Sequence, residues 1–291
     1  VLIALLVPLT LAMLVYAAAL VKEILAASSF GMRAEAVLVG AVTNFFDTLG
    51  IGSFAPTMAW FKFRSLVPDR LIPSTMLVGH TLPTMAQAVI FLIILGASVD
   101  PFLLGGCVLA ILCGGLIGAP LVARTRLPLV QTVVGIGLLL AAFFYALSNL
   151  ELMPAGGTAS ALPPALMIAA IVGHFALGIL LNFGIGNYAP TLAMLSLMGM
   201  DPRLCFPIMA TGGALTMASA SVQHIRLRQI DLRIVLGMAA GGIPAVLVAA
   251  FIVKEMPIVW LRWLVVLVVL YAAVVMLREA MLSPRDRTEK A

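Results

Sequence analysis

Six stretches of this chain carry no Asp, Glu, Lys or Arg: residues 71–99, 101–123, 127–150, 152–200, 204–225 and 234–253. A helix crosses the hydrocarbon core with about 20 apolar residues. Each run is therefore long enough for one crossing, and 152–200 is long enough for two, or for one crossing and a re-entrant segment. Outer-membrane barrel strands would be about 9–11 residues of alternating character. These runs are longer and apolar on every side, so they read as helices. The chain is 63% hydrophobic and 10% charged, against about 25% charged for a soluble domain. One core cannot take in that much apolar surface while water wets the outside. A soluble enzyme, a disordered chain and a disulfide scaffold are excluded, and the expected fold class is an all-α polytopic membrane protein.

Cys107, Cys113 and Cys205 lie inside apolar runs without CxxC spacing, and read as small buried hydrophobes. The net charge of +5 is no nucleic-acid footprint, because the basic residues sit in short loops and the tail, where they signal topology. Residues 1–21 lack a basic n-region and are long for a signal h-region, although Ala17-Ala18-Ala19 resembles a cleavage site. They are expected to remain as an N-terminal transmembrane helix.

An internal repeat organises the rest. Residues 49–59 read LGIGSFAPTMA and 183–193 read FGIGNYAPTLA, identical at seven of eleven positions. Thr84-Met85-Ala86 matches Thr216-Met217-Ala218, and Gly114-Gly115 matches Gly241-Gly242. The expected organisation is a first transmembrane repeat over 33–150, a second over 162–280, and a cytoplasmic tail over 281–291. Each half runs from an apolar segment into the GIG…AP motif (33–49; 163–183), through a shorter segment (53–66; 187–199), to three full spans.

Charge decides whether each motif region crosses the membrane or folds back, because Lys and Arg collect in cytoplasmic loops. A single crossing divides the seventeen basic residues nine to eight, which is no bias. A fold-back at GIG leaves only Arg203, Lys254 and Arg262 opposite the other fourteen. The motif regions are therefore expected to be broken or re-entrant helix hairpins. Each half then has five membrane segments, an odd number, so the halves form an inverted-topology repeat, the plan of many secondary transporters.

Irregular backbone at membrane depth persists only where it is buried in protein or lines a watery cavity. Gly50, Gly52, Gly184 and Gly186 supply the turns. Pro56 and Pro190 fall in the first turn of the short second arm, with Ser53 and Asn187 at its expected N-cap. Amides and the positive end of the helix dipole suit each turn to an anion, and the two turns are expected to converge on one mid-membrane site, with Tyr188 beside the second.

Other polar residues form the expected coupling and polar path: Asn44, Asp47, Thr48, His80, Gln87, Asn182 and Thr211. Asp47 is an intramembrane carboxylate, a proton or cation site by default or else a structural hydrogen-bonding group, and its aligned position in the second half is Leu181. His80 titrates near neutrality in water. His174 is expected only to pack, and His224 to lie at the cytoplasmic rim. No Ser/His/Asp set, Walker loop, haem pair or HExxH motif occurs in the chain, so neither catalysis, a metal nor a cofactor is expected.

The two halves, each with a Gly-rich turn followed by Pro, a basic-flanked helix and a Gly-Gly helix, resemble the sulfite exporter TauE/SafE family. The resemblance covers most of the chain after residue 33. The family's common turn is close to GxGGG, and here a polar residue, Ser53 or Asn187, stands in place of the third glycine. The resemblance implies a permease exporting a small anion such as sulfite or an organosulfonate across the lipid bilayer; proton coupling is expected from Asp47, and the charge placement leaves no nucleic-acid partner expected. Residence in the plasma membrane is expected, the inner membrane in a bacterium, and the fourteen-to-three charge split places the C-terminus in the cytoplasm. A passive anion channel is the alternative, and a membrane-embedded enzyme or assembly subunit a more distant one.

Overall fold

The computed structural model describes residues 2–27, 31–122, 127–150, 152, 157–181 and 186–282. Eleven α-helices run through them: α1 (Leu2–Ala26), α2 (Ala34–Thr48), α3 (Phe54–Arg64), α4 (Ile72–Ile94), α5 (Pro101–Val122), α6 (Leu127–Asn149), α7 (Pro164–Leu181), α8 (Tyr188–Leu197), α9 (Cys205–Arg226), α10 (Leu232–Glu255) and α11 (Ile258–Leu282). Seven helical stretches among the described residues are long and apolar enough to cross a membrane. Short α3 and α8 are not among them, as expected for the second arms.

Burial is arranged for lipid. Large apolar side chains such as Leu25, Phe63 and Phe102 are about four-fifths exposed, while Asn44, Asp47, His80, Gln87 and Thr211 are buried. A hydrocarbon solvent favours this arrangement, because it welcomes the aliphatic side chains and offers polar groups no partner. The chain is an integral membrane protein.

The helices form two compact units, Val1–Ala97 with Phe206–Glu255, and Ser98–Cys205 with Met256–Ala291. The repeat boundary does not separate them. The first unit joins α1–α4 of the N-terminal part to α9 and α10, and the second joins α5 and α6 to α7, α8 and α11.

Within the first unit α2 lies on α10 at backbone distance. A Cβ at Gly241 would overlap the Val37 carbonyl, and one at Gly40 would overlap the Met238 carbonyl. Gly237 and Gly241 form a GxxxG pair, the spacing that lets helix backbones meet in membranes. Within the second unit α5 lies on α7 in the same way. A Cβ at Gly114 would overlap the Phe175 carbonyl, and one at Gly178 the Ile111 carbonyl. In both units the long arm of a motif hairpin thus rests on the Gly-Gly helix of the other half.

Both motif regions fold back. Glu35, in the first turn of α2, accepts hydrogen bonds from Trp60 Nε1 (3.0 Å) and Arg64 Nε (2.9 Å), near the end of α3. Arg33 reaches the Leu66 carbonyl at 3.3 Å. The first hairpin therefore returns to the end from which it starts. In the second, Thr191 of α8 lies beside His174 of α7, and a Cβ at Gly173 would press on Met194.

The loop after α9 comes to the same end of the first unit. Ser74 hydrogen-bonds the Gln229 carbonyl, Thr75 Oγ1 accepts from the Asp231 amide at 3.0 Å, and Arg228 pairs with Glu23 at 3.1 Å. Lys22, Arg33, Lys62, Arg64, Arg70, Arg226, Arg228 and Arg233 thus gather at one end of this unit, with Lys254 at the other end of α10. The loop 124–126, which carries two more basic residues, lies outside the described residues.

Cysteines placed singly at Ser65 and Gln229, in a chain lacking Cys107, Cys113 and Cys205, should react with an impermeant maleimide from the same face. A cysteine at Glu255 should react from the opposite face. Labelling of Ser65 and Gln229 from different faces would refute the hairpin.

Candidate functional site

The first turn is closed by backbone geometry that glycine makes available. Gly50, at φ 97°, follows the C-cap Leu49. Its amide donates to Asp47 O (2.8 Å) and the Ile51 amide to Phe46 O (3.0 Å), the bond pair of a Schellman motif. Gly52, at φ 88°, then redirects the chain into α3, and a Cβ there would meet nothing within 4 Å. The left-handed backbone requires glycine at these two positions, and at Gly52 crowding plays no part.

Ser53 and Asn187 occupy the N-cap positions of α3 and α8, but neither side chain caps its helix. The N-cap positions are as expected for both, and only the side-chain cap bond is not formed. The Asp47 carboxyl, buried at the end of α2, lies close to the Ser53 hydroxyl and amide. The chain's own acid, fixed at the end of α2, sits at the positive end of α3, where a negative group is favoured. Pro56 and Pro190 fall in the first turns of α3 and α8 as expected.

Behind this turn a buried relay connects three helices. Asn44 Nδ2 donates to Gly40 O at 2.7 Å, which leaves Oδ1 facing His80 Nδ1 at 2.9 Å. An amide oxygen only accepts, so Nδ1 carries the hydrogen. Nε2 of the neutral ring then accepts from the Thr57 hydroxyl at 3.0 Å. Thr48 donates to Asn44 O at 2.8 Å, so it supports the helix beside the relay. Asn44, Thr57 and His80 are all buried.

The second unit repeats this chemistry with a histidine from a different helix. His174 Nδ1 lies 2.8 Å from Ala170 O, which again sets Nδ1 as the donor, and Nε2 faces Thr191 Oγ1 at 3.4 Å. Thr57 and Thr191 are aligned positions of the motif, but His80 stands on α4 and His174 on α7. Sequence reasoning passed over both threonines and took His174 as packing. The available signal was the threonine itself, one of the seven identities in the repeat.

Gln87 is fully buried on α4 with neither side-chain polar atom hydrogen-bonded, and Thr211 Oγ1 on α9 is in the same condition. Asn187 and Tyr188 are buried at the start of α8. Gly186 is exposed, has no left-handed φ, and a Cβ there would meet nothing within 4 Å. Asn182 and Gly184 lie outside the described residues. No group of three or more His, Cys, Asp or Glu suited to a metal occurs among the described residues.

Thr57→Val should leave the His80 Nε2 lone pair buried without a donor, at a cost of about 1–3 kcal/mol. Thr191→Val should cost less, because its contact is the longer one. Thermal unfolding of the purified protein in detergent checks this, and equal losses would sink the assignment.

The sequence pattern described as sulfite exporter TauE/SafE matches residues 165–291 of this chain. The match covers the second repeat, from the start of α7 onward, and bears out there the resemblance drawn from the motif residues. It places the chain's second half with a family of membrane transporters. No curated protein and no solved structure matches the chain.

Proposed function

We propose that this chain, whose second half carries the sulfite exporter pattern, is a secondary transporter that exports a small oxyanion such as sulfite or an organosulfonate. The observation that carries the reading is the broken hairpin of the first unit: two left-handed glycines, a short helix and buried polar groups, inside a membrane protein. Such breaks are costly in lipid unless buried in protein or lining a cavity, and secondary transporters place their solutes at broken helices of this kind. The five-segment parity of each half supports an inverted arrangement of the halves, and the gathered basic residues support a cytoplasmic location for that end of the first unit.

Gly186 adds to the reading. It needs neither conformational freedom nor room against neighbouring atoms, so the absent side chain leaves a bare backbone for a ligand to approach. Asp47 is the proton-coupling group of this proposal. Ionised, it places its charge beside the Ser53 amide and hydroxyl. Protonated, it loses charge at the helix end, and an anion replaces it there more readily.

Proteoliposomes offered sulfite, thiosulfate, sulfonates and carboxylates test the function. Saturable, proton-gradient-driven sulfite or sulfonate flux is expected, and unsaturable flux would favour a channel. Gly52→Leu and Gly186→Leu should each reduce transport at least about tenfold, the loss of one interaction of about 1.4 kcal/mol. Normal transport by either variant would remove its turn from the site. Asp47→Asn should transport without pH dependence, and an unaltered pH profile would make Asp47 structural.

A further inference from the structure

Helix α1 is seated on the first unit by one face. Leu5, Leu9, Tyr16 and Leu20 are buried along it, and the Tyr16 hydroxyl donates to Val78 O of α4 at 2.7 Å. Beside that face Val15, Ala18, Ala19 and Lys22 recur at i, i+3, i+4 and i+7, the spacing of a single stripe. The stripe borders a groove of about 500 Å³ whose other wall is the end of α9, with Ile225, Arg226 and Arg228. Ala18 and Ala19 are too small to fill it.

The groove has a charged end and an apolar end. Residues 2–21 carry no Asp, Glu, Lys or Arg, and Lys22 and Glu23 are the first such residues on α1. Residues 205–225 carry none either, and Arg226 is the first at the end of α9. The Glu23–Arg228 pair, at 3.1 Å, holds the two ends at one level. Seven residues of α1 separate Lys22 from Val15, a rise of about 10 Å. The groove therefore starts where the apolar helices end, at headgroup depth, and runs along Ala19, Ala18 and Val15 to the depth of acyl chains.

The charge at its mouth is unbalanced. Lys22, Arg226 and Arg228 line it with one carboxylate, Glu23, which already pairs with Arg228. Lys22 and Arg226 form no ion pair among the described residues. Arg228 stands in left-handed backbone at φ 52°, where α9 ends in a Schellman motif: its amide donates to Ile225 O and the Gln229 amide to His224 O. Glycine is the usual residue there, and the arginine sets a guanidinium at the groove where glycine would set nothing. Arg33, Lys62, Arg64, Arg70 and Arg233 gather at the same end of the unit. That bias marks the cytoplasmic side, whose leaflet carries anionic lipid.

We infer that this groove binds one anionic phospholipid of the cytoplasmic leaflet. Lys22 and Arg226 hold its phosphate, Arg228 links the phosphate to Glu23, and one acyl chain lies along Ala19, Ala18 and Val15. The occupant is a lipid because the apolar part of the groove lies below headgroup level, where a soluble phosphate has nothing to gain. A zwitterionic lipid carries its own cation beside the phosphate, so it gains less from the three basic side chains. Bound lipid ties α1 to the end of α9, and so to the following loop that Ser74 and Thr75 of α4 hold. The site does not depend on which solute the protein carries.

The test uses the purified full-length chain in detergent, with apparent dissociation constants read from thermal shifts. The ligands are phosphatidylglycerol, phosphatidylcholine with the same acyl chains, and glycerol 3-phosphate. Wild-type protein should bind phosphatidylglycerol about tenfold or more tightly than phosphatidylcholine. One basic residue beside an anionic headgroup is worth about fivefold, and the groove holds two that no carboxylate occupies. Glycerol 3-phosphate should give no shift at concentrations where phosphatidylglycerol saturates. Lys22→Gln with Arg226→Gln should bring the two lipids within about twofold. Ala18→Phe keeps every charge but fills the trough, and should weaken phosphatidylglycerol about tenfold, the worth of two displaced methylenes. Lys62→Gln with Arg70→Gln, at the same end but outside the groove, should keep the wild-type preference. Equal binding of the two lipids by wild-type protein overturns the inference. A preference that survives in the Lys22/Arg226 variant also overturns it, as does one lost in the Lys62/Arg70 variant, the mark of general surface charge. A glycerol 3-phosphate shift equal to that of phosphatidylglycerol would replace the lipid with a free phosphate and overturn it too. Should the Lys22/Arg226 variant fail to fold, Ala18→Phe decides, because unchanged phosphatidylglycerol binding there removes the site.

Discussion

A polar group inside a bilayer has no water to fall back on, and the rest of this structure follows from how that debt is met. Helices satisfy their own backbones, which is why long apolar helices dominate the described residues. A break in a helix frees amides and carbonyls where they are most costly. At Gly50 and Ile51 the chain answers with two backbone bonds back to Asp47 and Phe46. The turn is stable because its own residues take up much of what the break exposes.

The helix contacts are governed by the same solvent. Lipid gives apolar helices little reason to associate, so close approach of backbones carries the packing. Gly40, Gly237 and Gly241 bring α2 and α10 together, and Gly114 and Gly178 do so for α5 and α7. Each motif hairpin is thereby seated on a helix from the opposite half of the repeat. That seating positions the buried polar residues of α2 and α3 in the first unit against α4, where His80 and Gln87 stand.

The paired threonines and histidines show what the repeat preserves and what it exchanges. Thr57 and Thr191 each face a histidine Nε2, and in each ring an oxygen acceptor fixes the hydrogen on Nδ1. One histidine comes from α4 and the other from the hairpin's own first arm. The hydrogen bond is common to both units, while the residue alignment that would reveal it is not. Asp47 has no such counterpart, so the two turns differ in charge even though seven of the eleven motif positions agree.

The amino-acid sequence by itself determined the solvent, the helical class and the fold-back of the first motif. Charge-free runs and the bias of Lys and Arg respond directly to a bilayer, and such signals are local. GIG marked the turn because glycine alone adopts φ near 90° at little cost. Ser53 and Asn187 stand at the expected N-caps without forming side-chain cap bonds, and only the closed turn brings the Asp47 carboxyl close to Ser53. Residues far apart in the chain, such as Asn44 with His80 or Thr81 with Ser221, met only when the helices packed. No spacing in the sequence encodes which side of a helix those contacts select. Tertiary structure alone decided that Gln87 would be buried without a hydrogen-bonding partner, because burial depends on every neighbour at once while sequence records only the residue itself.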